Sequence, residues 1–170
     1  MATKALTGTR KMARKLKTIN ESRTILSELM LPGKANPAGN IHGGEVMKIM
    51  DNCAGVTAGR HAKTNAVTVR VDELIFHEPV RVGQLVICES HLVYVGKTSM
   101  EIKVTLKVED LHCENPPKTA LSAFFTFVAL DSDGKPTEVP GLLLETEEQK
   151  QAYEEGRRRH LEYKKRRNRA

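Results

Sequence analysis

What this sequence lacks excludes several classes of protein before any motif is considered. Tryptophan is absent and aromatic residues make up only 4% of the 170 residues, so base-stacking platforms for single-stranded nucleic acid are scarce. The three cysteines include no CxxC pair, which argues against disulfides and a zinc site and favours a reducing, cytoplasmic setting. No apolar run approaches the roughly 18 residues of a membrane span, and the first residues show no secretory pattern. We therefore expect no membrane association.

Metal-binding patterns and internal repeats are also missing. The six histidines show no ligand spacing such as HxxxH, so we expect no metal and no required cofactor. Cys53 could be a nucleophile, but a small buried thiol is the interpretation that we favour. With 39% hydrophobic residues, the chain has enough apolar material for one domain with a sizeable core.

The net charge of +6 is concentrated at the two ends of the chain. Residues 1–18 carry six basic and no acidic side chains, and residues 157–170 carry eight basic and one acidic. The remaining residues, 19–156, hold 13 basic and 20 acidic side chains, so the body of the protein is acidic. Charged ends of this kind are commonly solvated or frayed, and we expect no nucleic-acid partner.

The most informative stretch runs from Asn36 to Gly59 and predicts a turn followed by a long helix. It begins with Pro, Gly and Asn, passes through the pair Gly43-Gly44, and continues as a helix-compatible run to about Arg60. Apolar residues cover nearly its whole circumference, which is typical of a buried helix. They are Val46, Met47, Ile49, Met50, Cys53, Ala54, Val56 and Ala58. We therefore predict a central helix, about 25 Å long at the usual rise.

A single carboxylate interrupts this apolar helix. Gly44, Lys48, Asp51 and Gly55 share one stripe by helical periodicity. An acid in mid-helix is usually solvated, but one between apolar neighbours is costly unless it is paired or functional. We therefore predict a functional role for Asp51.

The glycine pair at the helix start is a candidate site for developing negative charge. The first-turn amides of Gly43 and Gly44 point along the helix dipole, although Gly-Gly also serves as a flexible helix entry. Asp51 lies eight positions after Gly43, about 12 Å along the axis, so one helix cannot present both groups to one carbonyl. Two antiparallel copies about a two-fold axis would bring the amides of one to the carboxylate of the other. We therefore predict a dimer with shared sites.

Five stretches have the pattern of β-strands, and a charged helix closes the chain. The predicted strands are residues 22–31, 65–76, 84–95, 99–109 and 119–130, and the predicted C-terminal helix is residues 145–167. In the second strand Val67, Val69 and Val71 alternate with Thr68, Arg70 and Asp72, as in a half-buried strand. Residues 1–20 are predicted to form a flexible or weakly helical basic arm.

The order of strand, helix and four further strands predicts an α+β domain. Short connections after the second strand predict an antiparallel meander that curls around the helix. One sheet can cover only part of an apolar cylinder, so a second sheet from a partner is expected to cover the rest.

Three motifs follow one another at characteristic distances. They are Gly39-Asn-Ile-His-Gly-Gly-Glu-Val-Met-Lys-Ile-Met-Asp-Asn-Cys-Ala54, Val69-Arg-Val-Asp-Glu-Leu-Ile-Phe-His-Glu-Pro-Val-Arg-Val-Gly83 and Val95-Gly-Lys-Thr-Ser99. Together they resemble the hotdog-fold acyl-CoA thioesterases of the cytosolic acyl-CoA hydrolase type, over roughly residues 20–155. The resemblance implies one hotdog domain at residues 21–140, between a basic arm at 1–20 and a charged helical tail at 141–170. It also implies a five-stranded sheet wrapped on the helix, paired protomers, and commonly a hexamer of three dimers.

The resemblance also implies an activity, acyl-CoA thioester hydrolysis, and two site residues. By similarity to the family motif, Asn36 is a catalytic or substrate-positioning amide and Asp51 is the acid/base partner from the opposite protomer. Asp51 would then activate water while Gly43 and Gly44 supply oxyanion donors, although direct attack by the carboxylate through an anhydride stays open. Asn40 is interpreted as a possible helix cap rather than a catalytic residue.

Coenzyme A, as the substrate moiety, adds a requirement for phosphate contacts. Arg60, His61 and Lys63 just past the helix are candidates, as is the hairpin Gly96-Lys97-Thr98. Exposed basic residues in turns are also common without any such role. His42 either donates a hydrogen bond near the thioester carbonyl or braces the turn.

Two other functions compete with hydrolysis. The first is another hotdog activity, either a non-hydrolytic acyl-CoA binder or a dehydratase. A dehydratase needs a histidine paired with a carboxylate, and Asp51 has no matched histidine. The second is nucleic-acid binding through the basic ends, which the acidic body and the lack of an RNP-like aromatic motif argue against.

Overall fold

The computed structural model describes residues 13–167, apart from the side chain of Glu73, and its main feature is a five-stranded antiparallel sheet. The strands are β1 (Leu16–Thr18), β2 (Thr24–Leu29), β3 (Asn65–Phe76), β4 (Leu85–Val95), β5 (Ser99–Glu109), β6 (Lys118–Leu130) and β7 (Gly141–Leu143). The helices are α1 (Gly43–Ala62) and α2 (Glu147–Arg167), with a short 3-10 turn at Pro32–Lys34. The predicted α+β architecture is confirmed.

Helix α1 has a defined cap at each end. The N-cap is His42 rather than Asn40, because the His42 Nδ1 atom accepts a hydrogen bond from the Gly44 amide at 3.1 Å. At the other end Lys63 takes a left-handed conformation with φ of 60° and donates its amide to the Gly59 carbonyl. The buried Lys17 ammonium group donates to two carbonyls of the last turn, where a cation is favourable against the helix dipole.

The strand order is β2-β4-β5-β6-β3, so the predicted meander is correct only for β4, β5 and β6. A continuous meander would have placed β3 beside β4. The two hydrogen-bonding edges of β4 are taken by β2 and β5, and β3 pairs with β6 at the edge of the sheet. The prediction failed because local connection length does not identify which strand occupies an edge.

A second, parallel pair of strands joins the start of the described chain to the segment before α2. Strand β1 pairs with β7, and a Cβ on Gly141 would lie 2.7 Å from the end of the Leu16 side chain, so a larger residue there would require Leu16 to move. The prediction of an arm is therefore wrong for residues 13–18, and residues 141–143 form a strand instead of the helical tail. The rest of the arm, residues 1–12, lies outside the described residues. Strands of three residues are too short to show any periodicity.

The core lies between α1 and the sheet. The fully buried side chains include Met50 and Cys53 from the helix and Met100, Ile102 and Val104 from β5. Met47 and Val56 of α1 are 40% and 39% exposed, so in a single chain the helix is not buried all round. This agrees with the expectation that one sheet covers only part of it.

Helix α2 packs on the opposite face of the sheet. A Cβ on its buried Gly156 would lie 2.6 Å from Tyr94 Cβ and 2.7 Å from a carboxylate oxygen of Glu101, so the close contact depends on glycine. Glu101, which is 3% exposed, accepts two hydrogen bonds from the Arg159 guanidinium, at 3.2 and 2.8 Å. Arg70 of β3 lies 3.9 Å from the same carboxylate.

Candidate functional site

Asp51 lies in the middle of α1 and has one polar partner. The Thr68 hydroxyl group donates a hydrogen bond of 2.6 Å to Asp51 Oδ1. Asp51 is half-buried and Thr68 is exposed, so the pair opens to the uncovered side of the helix. Within residues 13–167 no lysine, arginine or histidine forms an ion pair with Asp51. A carboxylate without a neutralising cation keeps its acceptor capacity for water or a substrate group.

A β-bulge at Val69 explains why Thr68 reaches Asp51. In the pairing with β6, Thr68 lies opposite Phe127 and Arg70 opposite Thr126, which leaves Val69 as the extra residue. In a regular strand residues 68 and 70 would share a face. The bulge instead directs Thr68 toward α1 and Arg70 toward α2. Sequence reasoning missed Thr68 because regular alternation treated it as one more solvent-facing residue.

The valines of β3 are exposed, against the expectation of a half-buried strand. Val67, Val69 and Val71 are 39%, 51% and 37% exposed, whereas a half-buried strand would cover them. Ile75 and Phe76 further along the strand are also about half exposed, at 49% and 54%. The edge strand therefore carries five exposed apolar side chains.

The glycine pair lies at the first turn of α1, as predicted. The Gly44 amide is already occupied by the His42 cap, so His42 braces the turn rather than pointing a free donor at a substrate. The Gly43 amide donates no hydrogen bond to any described residue, and a Cβ on Gly43 would meet only the Phe76 ring, at 3.7 Å. Of the two predicted oxyanion donors, Gly43 is thus the better placed.

Asn36 lies in the turn that leads to α1. Its Oδ1 atom accepts hydrogen bonds from the amides of Ala38 and Asn40, at 3.0 and 3.2 Å, which closes a turn through Gly39 with φ of 81°. Its side-chain NH2 group makes no hydrogen bond to any residue that the structure describes. The Asn36 carboxamide is therefore fixed at its oxygen and can still donate from its nitrogen.

The candidate phosphate contacts at the end of α1 have different environments. His61 is fully buried, with Nδ1 at 3.1 Å from Ser22 Oγ and Nε2 at 2.9 Å from the Pro140 carbonyl. Burial lowers the pKa of His61, and a carbonyl can only accept, so Nε2 carries the proton. The prediction of a phosphate contact at His61 is wrong, since no ring nitrogen is left for a ligand.

Arg60 is partly engaged and Lys63 is exposed. The Arg60 guanidinium donates to the Arg23 carbonyl at 2.8 Å and to Thr24 Oγ1 at 3.2 Å. The side chain of Lys63, at the helix C-cap, makes no hydrogen bond or ion pair among the described residues. Local spacing could not distinguish these three neighbours, because their burial depends on β1, β2 and the chain before β7.

The hairpin Gly96-Lys97-Thr98 connects β4 to β5. It lies at the same end of the strands as the C-terminus of α1. The backbone of this turn is held by the Gly96 amide, which donates to the Ser99 carbonyl at 2.8 Å, and by the Lys97 carbonyl, which accepts from Val139. Lys97 and Thr98 line a cavity of about 300 Å³. The Lys97 side chain is exposed and makes no ion pair within residues 13–167.

Cys53 is an interior thiol, as favoured above. Its Sγ atom lies 3.3 Å from the Cys88 carbonyl and 3.2 Å from Ser90 Oγ, and its exposure is 0%. Hydrogen bonding from the side chains of Cys88 and Ser90 lowers the pKa of Cys53 to about 7. No substrate can reach the thiol in this chain.

The described residues contain neither a metal-ligand cluster nor a membrane-spanning helix. Residues 13–167 contain no group of three or more His, Cys, Asp or Glu side chains that could hold a metal ion. Neither α1 nor α2, the two long helices in this range, is apolar enough over its length to cross a membrane.

Comparison with known proteins places this geometry among thioesterases. The family model of the thioesterase superfamily matches residues 38–114. An uncharacterized acyl-CoA thioester hydrolase of Zymomonas mobilis is 41% identical over 112 residues, covering 66% of this chain and 74% of that protein. The cytosolic acyl coenzyme A thioester hydrolase of Rattus norvegicus is 40% identical over 149 residues, or 86% of this chain. The chain spans only 39% of the length of that relative.

Solved structures give the same result. An apo-hexameric acyl-CoA thioesterase has a TM-score of 0.84 and 35% identity, covering 89% of this chain and 97% of that chain. An acyl-CoA hydrolase of Staphylococcus aureus, solved with butyryl coenzyme A and coenzyme A, has a TM-score of 0.81 and 32% identity. It covers 89% of this chain and 92% of that chain. The Staphylococcus aureus hydrolase has also been solved with single asparagine, aspartate and threonine residues replaced by alanine.

Proposed function

Because the chain belongs to the thioesterase superfamily, we propose that it hydrolyses acyl-CoA thioesters to a fatty acid and coenzyme A. The observation that carries the proposal is the Asp51–Thr68 pair, with its 2.6 Å hydrogen bond and no ion pair to Asp51 among the described residues. Thioester hydrolysis needs an acceptor for a proton from water and donors for the developing oxyanion. Asp51 supplies the first and the open turn before α1 supplies the second.

The roles follow from the hydrogen bonds. Asp51 accepts a proton from the attacking water, while Thr68 holds one carboxylate oxygen and leaves the other for that water. The free NH2 group of Asn36 holds the water or the thioester oxygen, and the Gly43 amide stabilises the oxyanion. The asparagine, aspartate and threonine replaced in the Staphylococcus aureus hydrolase have the same order and spacing as Asn36, Asp51 and Thr68. Attack by Asp51 itself, through an anhydride, uses the same groups.

We propose that each site is shared between two copies of the chain. The separation of Gly43 and Asp51 along α1, about 12 Å, prevents one helix from presenting both to one carbonyl. Strand β3 is an edge strand with an exposed apolar surface, and Met47 and Val56 of α1 are exposed as well. Such an edge favours pairing with a second copy. Some of the similar solved thioesterases are described as hexameric, which fits a trimer of dimers.

In this proposal the phosphates of coenzyme A lie at the end of the sheet where α1 terminates. Lys63 and the Gly96-Lys97-Thr98 hairpin contact its phosphates through charge and backbone amides. Arg60 contributes only if one of its present hydrogen bonds is exchanged. His61 has a structural role and is not part of this site.

The test is complementation between two inactive variants. Wild-type protein and the Asn36→Ala and Asp51→Ala variants are incubated separately with butyryl-CoA, and released thiol is followed with a chromogenic disulfide reagent. We expect turnover by the wild type only. Co-refolded mixtures of the two variants should then recover activity, because each mixed dimer contains one complete site.

Two outcomes would contradict parts of this proposal. Wild-type protein that binds butyryl-CoA without releasing thiol would be an acyl-CoA binder rather than a hydrolase. Active wild-type protein whose mixed variants recover no activity, although mass spectrometry shows mixed dimers, would place both residues in one protomer's site.

A further inference from the structure

The cavity beside the Gly96-Lys97-Thr98 hairpin lies between the outer face of the sheet and the last two turns of α2. Its volume is about 300 Å³, and its walls come from β3, the β4–β5 hairpin, β6 and α2. We call it the α2 cavity. Its charged lining residues are Arg70, Lys97, Lys164 and Arg167.

The α2 cavity has four cationic side chains and no acidic one. This contrasts with the acidic composition of the body of the chain. Arg70 is compensated, since it lies 2.5 Å from Asp72 and 3.9 Å from Glu101. Lys97, Lys164 and Arg167 form no ion pair within residues 13–167. Three uncompensated cations around one concave surface favour a ligand with several negative charges.

His160, which also lines the α2 cavity, is affected by the same positive charges. Burial, together with the charges of Lys164, Arg70 and Arg167, lowers the pKa of His160. A cationic form of His160 would add a fifth positive charge to the cavity. The lowered pKa keeps this side chain neutral, so it is available as a hydrogen-bonding group beside the three free cations.

The polar lining also includes hydroxyl groups suited to phosphate oxygens. Thr98, Ser99 and Thr126 line the cavity, from the hairpin, β5 and β6. The Thr126 Oγ1 atom is buried and makes no hydrogen bond to any other described residue. A buried hydroxyl without a partner is costly, and a ligand or water oxygen in the cavity would satisfy it.

We infer that the α2 cavity binds the phosphate-bearing nucleotide end of coenzyme A, with Lys164 and Arg167 of α2 completing the contacts begun by Lys97 and Thr98. This rests on the proposed function, since it assigns a further part of the same substrate. Thr68 and Arg70 face opposite sides of strand β3. The cavity, which Arg70 lines, and the Asp51–Thr68 pair therefore lie on opposite faces of the same strand, close to each other. The C-terminal helix is thus a substrate-binding element as well as a structural one.

The experiment compares two substrates that differ only in the nucleotide. The double variant Lys164→Ala/Arg167→Ala and the wild type are assayed with butyryl-CoA and with S-butyryl-pantetheine, which lacks the phosphorylated nucleotide. We expect KM for butyryl-CoA to rise about tenfold or more, as for the loss of charge-assisted contacts, with kcat retained. The loss should be confined to butyryl-CoA.

Lys165→Ala is the matched control. Lys165 is the neighbour of Lys164 on α2 but lies on a different surface, with Glu154 and Arg157. It should leave KM for butyryl-CoA within about twofold of the wild type. An unchanged KM in the double variant would overturn the inference, and so would an equal loss on S-butyryl-pantetheine, which would indicate structural damage.

Calorimetric titration with adenosine 3′,5′-bisphosphate separates this inference from the proposed function. Wild-type protein should bind the bisphosphate, and the double variant should bind it at least tenfold more weakly. If the wild type hydrolyses neither substrate, hydrolysis fails while this titration still tests the cavity. Equal affinity in both proteins would overturn the cavity assignment even if hydrolysis is observed.

Discussion

Asp51 and Glu101 are carboxylates on opposite sides of the same sheet, and their partners differ. Glu101 is 3% exposed and lies between the guanidinium groups of Arg159 and Arg70. Asp51 is half-buried, has the Thr68 hydroxyl as its partner, and forms no ion pair with the described residues. A buried acid that is fully paired contributes to structure, and its removal exposes uncompensated charge. An acid that forms no ion pair and lies on an uncovered side of its helix is available for chemistry.

The surroundings of Glu101 and Asp51 also differ in the number of chain segments that contribute contacts. Around Glu101 the contacts link distant parts of the chain, with Arg159 also stacked on the Phe124 ring at 4.1 Å. Around Asp51 a single bulge in an edge strand supplies the partner, and the rest of the surface is uncovered. We therefore expect substitutions around Glu101 to lower stability and substitutions around Asp51 to lower turnover.

The largest effect is expected from Asp51→Asn. The amide keeps the size of the side chain but cannot accept the proton from water, so kcat on butyryl-CoA should fall by about 10² to 10⁴-fold. Thermal unfolding should stay within about 2 °C of the wild type, since no buried ion pair is lost. Asn52→Ala, at the exposed neighbouring position on α1, is the control. Turnover that stays within a few-fold of the wild type in Asp51→Asn would contradict the comparison.

Glu101→Gln should have the opposite profile. Removing the charge leaves two arginines facing a neutral amide, and we expect a loss of about 3 kcal/mol of stability. Scanning calorimetry at one scan rate should show a melting temperature lower by several degrees, about 2 to 4 °C per kcal/mol for a chain of this size. Turnover at 20 °C should change less than threefold.

Glu109→Gln on the same strand is the matched control for Glu101→Gln. Glu109 is less buried and forms no ion pair with the described residues. It should melt within about 1 °C of the wild type. A Glu101→Gln protein that melts normally but has lost turnover would show that the two faces of the sheet do not divide stability and chemistry in this way.

The smallest effect concerns acid stability at the end of α1. Burial lowers the pKa of His61 below its ordinary value near 6.5, so the unfolded chain binds a proton that the folded chain does not. Stability should be complete above that ordinary value and fall as the pH drops toward the lowered pKa, by at most about 1.4 kcal/mol per pH unit for this group. His91 and His160, whose pKa values burial also lowers, act in the same direction.

Melting temperatures measured between pH 7.5 and 5 check this point. His61→Gln should flatten part of the slope, whereas His112→Gln at an exposed position should leave it unchanged. A wild-type melting temperature that is constant down to pH 5 would contradict the assignment of a neutral, buried His61.

Long elements with strong periodicity could be predicted from the sequence to within about two residues. Helix α1, strands β3, β4, β5 and β6, and the charged helix α2 all lie close to their predicted ranges. The short strands β1 and β7 were missed, because their hydrogen bonds join residues far apart in the chain. The strand order was wrong at β3, because an edge position depends on which neighbours are already occupied.

The residues of the candidate site also separate into those that local sequence predicted and those that it did not. Asp51 and the turn from Asn36 to Gly44 were found from their own sequence, since a lone acid on an apolar helix and a glycine pair at its start are local signals. Thr68 was missed because a bulge changed the face on which it lies. His61 was assigned wrongly to a phosphate, since only the packing of β1 and the chain before β7 places it in the interior.

By itself, the sequence determined the central helix, its single acid, the sheet-forming stretches and the basic ends, because each depends on residues close together in the chain. Only the tertiary structure decided which hydroxyl group meets Asp51, which acid is neutralised by arginines, and which cations of α2 surround a cavity. These depend on a bulge, an edge and a helix packed across four strands, and contacts between distant residues are not encoded in any local pattern.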